Sequence, residues 1–151
     1  MRISLQEFAD KISDIMPVIA KEFSKRNTNE LCRGKITLPQ LLILGFLYRN
    51  GDSKMSTIAN YMTVSTAAMT GMVDRLTRYG YVKREHEPGD RRIINTRLTE
   101  KGARLVEKIN IQRRQMIIDI FGKVSETDRL DYLRVLIKIR EALTRNGHGQ
   151  T

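Results

Sequence analysis

Between Arg75 and Arg97 the sequence places seven basic residues, Arg75, Arg78, Lys83, Arg84, Arg91, Arg92 and Arg97, against three acidic ones, Glu85, Glu87 and Asp90. Such a local excess suits a polyanion. Just before it stand Ser65, Thr66 and Thr70. Their hydroxyls can reach phosphates or base edges, and threonine methyls can touch thymine methyls. The segment Pro88-Gly89-Asp90-Arg91-Arg92 carries arginine on a tight turn. Arginine so exposed is drawn to the negative potential of a narrow minor groove. Asp90 could hold Arg92 in one orientation by a charge-assisted hydrogen bond.

Other chemistries find little support. The two histidines, His86 and His148, belong to no ligand cluster, so no metal is expected. No nucleophile, base and orienting group can be assembled, and no glycine loop for phosphate is present, so the chain does not read as an enzyme and calls for no cofactor. One cysteine, Cys32, excludes an intrachain disulfide and is consistent with a reducing cytoplasm.

The chain has 151 residues, 40% of them hydrophobic, which suits one globular unit with a core rather than a disordered tail. The formal net charge is +10, so nucleic acid or an anionic membrane surface is a plausible partner class. The apolar run Leu41–Tyr48 is too short to span a bilayer, and Met1–Ser13 lacks the apolar stretch of a signal peptide. No membrane association is therefore expected. There is no internal repeat.

The elements that must position these groups are mostly helical. Ser4-Leu5-Gln6-Glu7 is a capping box. It opens a helix whose Leu5, Phe8, Ile12, Ile15, Ile19 and Phe23 form one apolar stripe, with a kink expected at Pro17 and an end near Arg26. Asn27-Thr28-Asn29 reads as its exit. Thr37-Leu38-Pro39-Gln40 is a second capping box, opening a helix apolar almost all round, hence buried, and stopped by Asn50-Gly51-Asp52. Ser56 is placed to cap a short helix, Thr57–Met62. Ser65 or Thr63 then caps a second one, Ser65–Tyr79, after an abrupt turn.

In that second helix Met69, Met72, Val73 and Leu76 share a face. At about 100° per residue the opposite face carries Ala67, Gly71, Asp74 and Arg78, flanked by Thr66, Thr70, Thr77 and Arg75. A glycine inside a helix costs about 1 kcal/mol relative to alanine. Its smoothness permits close approach, either to a major groove or to another helix of the same protein. Gly80 ends the helix. Tyr81–Leu98 reads as a hairpin turning at Glu87-Pro88-Gly89-Asp90, with Ile93, Ile94, Thr96 and Leu98 on the return strand.

Thr99 caps a long helix, about Thr99 to Gly122, and Ser125-Glu126-Thr127-Asp128 caps a last one ending at Asn146-Gly147. Both, like the first helix, carry more apolar surface than one contact needs. That surplus suggests a subunit interface; the alternative is a deeper core within the chain.

The residues Thr37-Leu38-Pro39-Gln40, Met69-Thr70-Gly71-Met72-Val73-Asp74-Arg75-Leu76, Gly80-Tyr81-Val82, Asp90-Arg91-Arg92 and Leu98-Thr99-Glu100-Lys101-Gly102 together resemble the MarR family of winged-helix transcriptional regulators, in order and spacing, over nearly the whole chain. The resemblance implies a mainly α fold with a small β-hairpin wing, a winged helix-turn-helix. It implies a winged-helix DNA-binding lobe at residues 37–98, and dimerisation helices at 1–36 and 99–151. Recognition helices would enter successive major grooves of double-stranded DNA, and wings the minor grooves. By motif match Asp90 and Arg92 would be the wing pair, with Arg91 beside them. Ser65, Thr66, Thr70 and Arg75 would lie on the DNA side of the recognition helix, and Arg78 sits on the same charged end.

Members of the family often bind small aromatic or anionic effectors between the dimerisation helices and the DNA-binding lobe, and some sense oxidants with a cysteine. Cys32, near Arg33 and Lys35, is the candidate redox thiol, without a second cysteine to resolve a sulfenate. The expected function is a homodimeric cytoplasmic regulator, a repressor relieved by a small molecule, on a pseudo-palindromic operator. The rival is a winged-helix protein-interaction module docking a partner on Ala67 and Gly71.

Overall fold

A computed structural model describes residues 3–26, 36–87 and 89–145, and of Arg26, Arg91 and Arg92 the backbone alone. Cys32, the exit at Asn27-Thr28-Asn29, the turn residue Pro88, His148 and the stop at Asn146-Gly147 lie outside the described residues. The described elements are α1 (Leu5–Arg26), α2 (Leu38–Asn50), β1 (Ser53–Lys54), α3 (Met55–Met62), α4 (Thr66–Arg78), β2 (Val82–Glu87), β3 (Asp90–Leu98), α5 (Glu100–Phe121) and α6 (Glu126–Arg145). The winged helix-turn-helix expected from the sequence is present: α3 and α4 are the bihelical part, β2 and β3 the wing.

Two compact units divide the chain, Met1–Arg113 and Arg114–Thr151. The first is organised around α2. Thr37 caps it reciprocally: the Gln40 amide donates to Thr37 Oγ1 at 3.4 Å, and Gln40 Oε1 accepts from the Thr37 amide at 3.0 Å. Being apolar all round, α2 is buried on several sides, through Leu41, Ile43, Leu44, Phe46 and Leu47. Ile58 and Ala59 of α3, Met69, Val73 and Leu76 of α4, Val82 of β2, and Leu105, Val106 and Ile109 of α5 close the same core. Burial of these side chains, each about 1.5–3 kcal/mol for the larger ones, is what holds the lobe.

The sheet has three antiparallel strands in the order β1-β3-β2. The hairpin pairs Val82 with Leu98 and Arg84 with Thr96, with an irregularity between His86 and Glu87 near the turn. The two-residue β1 pairs Ser53 with Thr96 and was not foreseen, since two residues carry no readable alternation. Its presence corrects the start of α3. That helix begins at Met55 directly off β1, with Lys54 as N-cap and no side-chain cap hydrogen bond; Ser56 does not cap it. Between α3 and α4, Thr63 adopts φ 54°, a left-handed conformation costly for a β-branched residue, and its amide and that of Val64 close the end of α3 on Asn60 and Ala59 carbonyls.

No residue of α1 whose side chain is described is buried: Leu5, Phe8, Ile12, Ile15 and Ile19 are all exposed, and the helix is continuous through Pro17. Its capping box is formed, Ser4 and Glu7 exchanging hydrogen bonds of 2.8 and 3.1 Å. In the second unit, the Phe121 and Tyr132 rings stack at 5.4 Å, and Arg129 donates to the carbonyls of Phe121 and Val124. Ser125 caps α6 through the Asp128 amide. No residue of α6 is buried, and Leu130, Leu133, Leu136 and Leu143 are exposed. These apolar faces are thus exposed among the described residues. Among the described residues no helix is long and apolar enough to cross a membrane.

Candidate nucleic-acid interface

Helix α4 exists where it does because both ends are closed chemically. Ser65 Oγ accepts from the Ala68 amide at 3.2 Å, one of the donors a helix start leaves orphaned. At the other end Gly80 takes φ 74°, the Tyr81 amide reaches back to the Leu76 carbonyl at 3.0 Å and the Gly80 amide to Thr77 at 2.9 Å. This is the paired turn that a left-handed glycine permits. Met69, Val73 and Leu76 anchor the inner face, with Met72 half-buried.

The outward face is bare. Thr66, Ala67, Gly71, Asp74, Arg75 and Arg78 are exposed. A Cβ built on Gly71 would meet nothing within 4 Å. An intramolecular helix contact at Ala67 and Gly71, one of the two readings left open by the sequence, is thus not what the described residues show. Thr70 is half-buried and its hydroxyl donates to the Thr66 carbonyl at 2.8 Å, so its remaining capacity is as an acceptor. Arg75 and Arg78 make no side-chain hydrogen bond or ion pair among the described residues, and remain available to an external anion.

The end of α4 is locked to the start of α5. Thr99 Oγ1 donates to the Gly80 carbonyl at 2.6 Å and accepts from the Gly102 amide at 3.1 Å. Lys101 Nζ donates to the Tyr79 carbonyl at 2.6 Å, a cation at the negative end of α4, and lies 4.7 Å over the Tyr81 ring. Gly102 is required by space: a Cβ there would sit 2.1 Å from the Tyr81 carbonyl oxygen. The threonine and glycine of Leu98-Thr99-Glu100-Lys101-Gly102 thus have a physical reason.

On the wing, Asp90 is exposed at the start of β3, just after Gly89 with its φ of 101°. Arg91 and Arg92 follow on β3, but their side chains are outside the described set, as is the Asp90–Arg92 contact expected from the sequence. The structure adds charges that the sequence reading had not assigned. Arg97 donates to Asp52 through Nε at 2.7 Å and lies 3.2 Å from Glu85. The Asp52 hydrogen bond raises the Arg97 pKa further. Lys83 pairs with Glu85, whose carboxyl is held below its ordinary range chiefly by that bond. Arg84 reaches from the wing to Asp74 on α4 at 2.6 Å. No group of three or more potential metal ligands occurs among the described residues.

Comparison with known proteins matches residues 36–94 to the MarR family model. YhbI of Bacillus subtilis, an uncharacterised HTH-type transcriptional regulator, is 32% identical over 114 residues, covering 76% of this chain and 71% of that protein. The HTH-type transcriptional repressor MdtR of the same organism is 28% identical over 142 residues, 94% of this chain and 84% of that one. Among solved structures, a MarR family protein from Bacillus stearothermophilus superposes with a TM-score of 0.76 at 25% identity, over 94% of this chain and 99% of the other.

Proposed function

The chain belongs to the MarR family of winged-helix transcriptional regulators, and we propose that it is a homodimer that reads a pseudo-palindromic operator in double-stranded DNA. The observation that carries this is the face of α4. Ser65 and Thr66 open it, Gly71 leaves it smooth with open space above, and the unengaged Arg75 and Arg78 close it. The helical cost of Gly71, about 1 kcal/mol, has no return among the described residues. A major groove approached closely supplies one.

Residues 37–98 form the DNA-binding lobe in this reading, with Asp90, Arg91 and Arg92 over the minor groove. Residues 1–36 and 99–151 supply the dimer contact. The support is the uncovered apolar face of α1 and that of α6, each longer than isolated surface residues require. Two lobes related by a twofold axis would meet half-sites about one helical turn apart. Repression relieved by a small aromatic or anionic effector is the regulatory mode we favour, by analogy with the repressor MdtR for its sign. An effector acts by its differential affinity for the two lobe spacings.

The test is titration of a labelled duplex from the gene's own upstream region, against a scrambled duplex, at several salt concentrations. Selective binding that weakens steeply with salt is expected. Equal affinity for both duplexes would overturn the reading.

A further inference from the structure

Asp74 is a misfit on a helix face that must approach phosphate. It lies one turn from Thr70 and from Arg78 on the exposed side of α4, where a bare carboxylate repels a polyanion. Its Oδ1 instead accepts from Arg84 Nη2 at 2.6 Å. Arg84 is equally odd for its own place. On β2 it stands between Val82 and His86 and opposite Thr96, and alternate strand residues share a face. That face carries the buried Val82 and Thr96. A residue there is ordinarily apolar, yet here an arginine is directed from the wing to the recognition helix. Arg84 is 32% and Asp74 48% exposed, so the pair is partly screened from water without being buried.

Stability alone gives a weak account of the pair. A half-exposed ion pair contributes about 0–1 kcal/mol, and α4 is already joined to β2 through Leu76, Tyr81 and Val82. What the pair does distinctively is tie the major-groove element to the minor-groove element. The wing's other assigned charges run elsewhere, Arg97 to Asp52 and Glu85, and Glu85 to Lys83.

We propose that Asp74 and Arg84 are positioning residues for DNA recognition: their ion pair sets the wing against the recognition helix and cancels the one carboxylate on that helix, so that both elements engage a single duplex in register. The proposal rests on the DNA-binding reading above. It separates two kinds of binding by sign. Non-specific binding is carried by phosphate contacts and gains when Arg84 is released to a phosphate. Operator binding needs the two elements at a fixed angle and loses when the pair is gone.

The experiment compares the unaltered full-length chain with Asp74→Asn, Arg84→Gln and the exchanged double variant Asp74→Arg with Arg84→Asp, each titrated with operator and with scrambled duplex. Asp74→Asn should bind scrambled duplex as well as or better than the parent, yet lose operator affinity. The ratio of the two affinities should fall about tenfold, since two pairs act per dimer and each half-exposed pair is worth up to about fivefold. Arg84→Gln should lower the ratio as well, and the exchange should restore most of it, with melting temperatures nearly unchanged throughout. An Asp74→Asn variant that tightens both duplexes by one factor would show Asp74 to be a simple repulsive charge and overturn the proposal; so would an exchange that recovers nothing. If the parent chain itself prefers neither duplex, the DNA-binding reading fails instead.

Discussion

Helices α2 and α6 are built from similar amounts of leucine and isoleucine, and they end in opposite situations. Leu41, Ile43, Leu44 and Leu47 of α2 are buried in the chain's own core, whereas Leu130, Leu133, Leu136, Ile139 and Leu143 of α6 are exposed. Helix α1 sides with α6. The free energy that drives burial is the same in both, so an apolar face that the described residues leave wet favours the second surface proposed above. In the dimer proposed above, the winged helix is a unit that one copy completes, and the terminal helices are units that two copies complete.

The sharpest way to break that comparison is to remove a large side chain from each region. Leu44→Ala opens a cavity where nothing is exposed, and should cost about 2–5 kcal/mol whatever the protein concentration. Denaturant melts at two concentrations a hundredfold apart check it. Leu133→Asp should leave the lobe folded, because Leu133 is exposed on α6. It should raise the dimer dissociation constant by about a hundredfold or more, seen by sedimentation, since a carboxylate would be buried unpaired in the dimer contact. A Leu133→Asp chain that remained dimeric at low micromolar concentration would remove α6 from the interface.

A smaller effect tests the junction between α4 and α5. Gly102→Ala must move the Tyr81 carbonyl or the first turn of α5, at an expected cost of about 1–3 kcal/mol. Gly71→Ala is the contrast on the bare face: it meets nothing, and should stabilise the helix by about 1 kcal/mol while weakening operator binding. In the sheet, Thr96 is fully buried and its hydroxyl has no partner among the described residues. Thr96→Val should therefore raise stability by about 1 kcal/mol, read as a higher melting temperature.

These sites differ in how far the sequence could reveal them. Capping at Ser4, Thr37, Ser65 and Ser125 was legible, because a hydroxyl and an amide three residues apart settle their geometry locally. The inner face of α4 was legible by period. The strand β1 was not, since its two residues acquire meaning only when Thr96 pairs with Ser53. Nor was the Asp74–Arg84 pair: the helical wheel places Asp74 toward solvent, and only the angle between a strand and a helix brings Arg84 to it. Gly102 was recognisable as part of a family motif, but the reason for it, a carbonyl 2.1 Å away from any added Cβ, is a tertiary fact. Placement within one element was written locally; meetings between elements were not.

The mildest expected difference between the regions is in pH. At the start of α1 the Glu7 carboxylate accepts from the Ser4 amide, and this bond holds its pKa below the ordinary 4.5. A depressed carboxyl contributes fully above its unfolded value and loses that contribution as pH falls through the folded one. In the lobe, Tyr48 donates to Glu107 at 3.0 Å, which raises the phenol above 10.0. That contribution is full below 10.0 and is lost as pH rises through the higher folded value. Acid should thus loosen the first turn of α1 and alkali the contact of α2 with α5. Exchange of the Ser4 amide should quicken, relative to its intrinsic rate, as pH falls below the ordinary 4.5 and through the lower folded value. Glu7→Gln keeps an oxygen acceptor without a titrating proton, so it should abolish that change while leaving the alkaline one intact. A Ser4 amide still as protected as at neutrality once the Glu7 carboxyl itself has been titrated, followed by its own NMR shift, would mean that something other than the capping carboxylate holds this helix end.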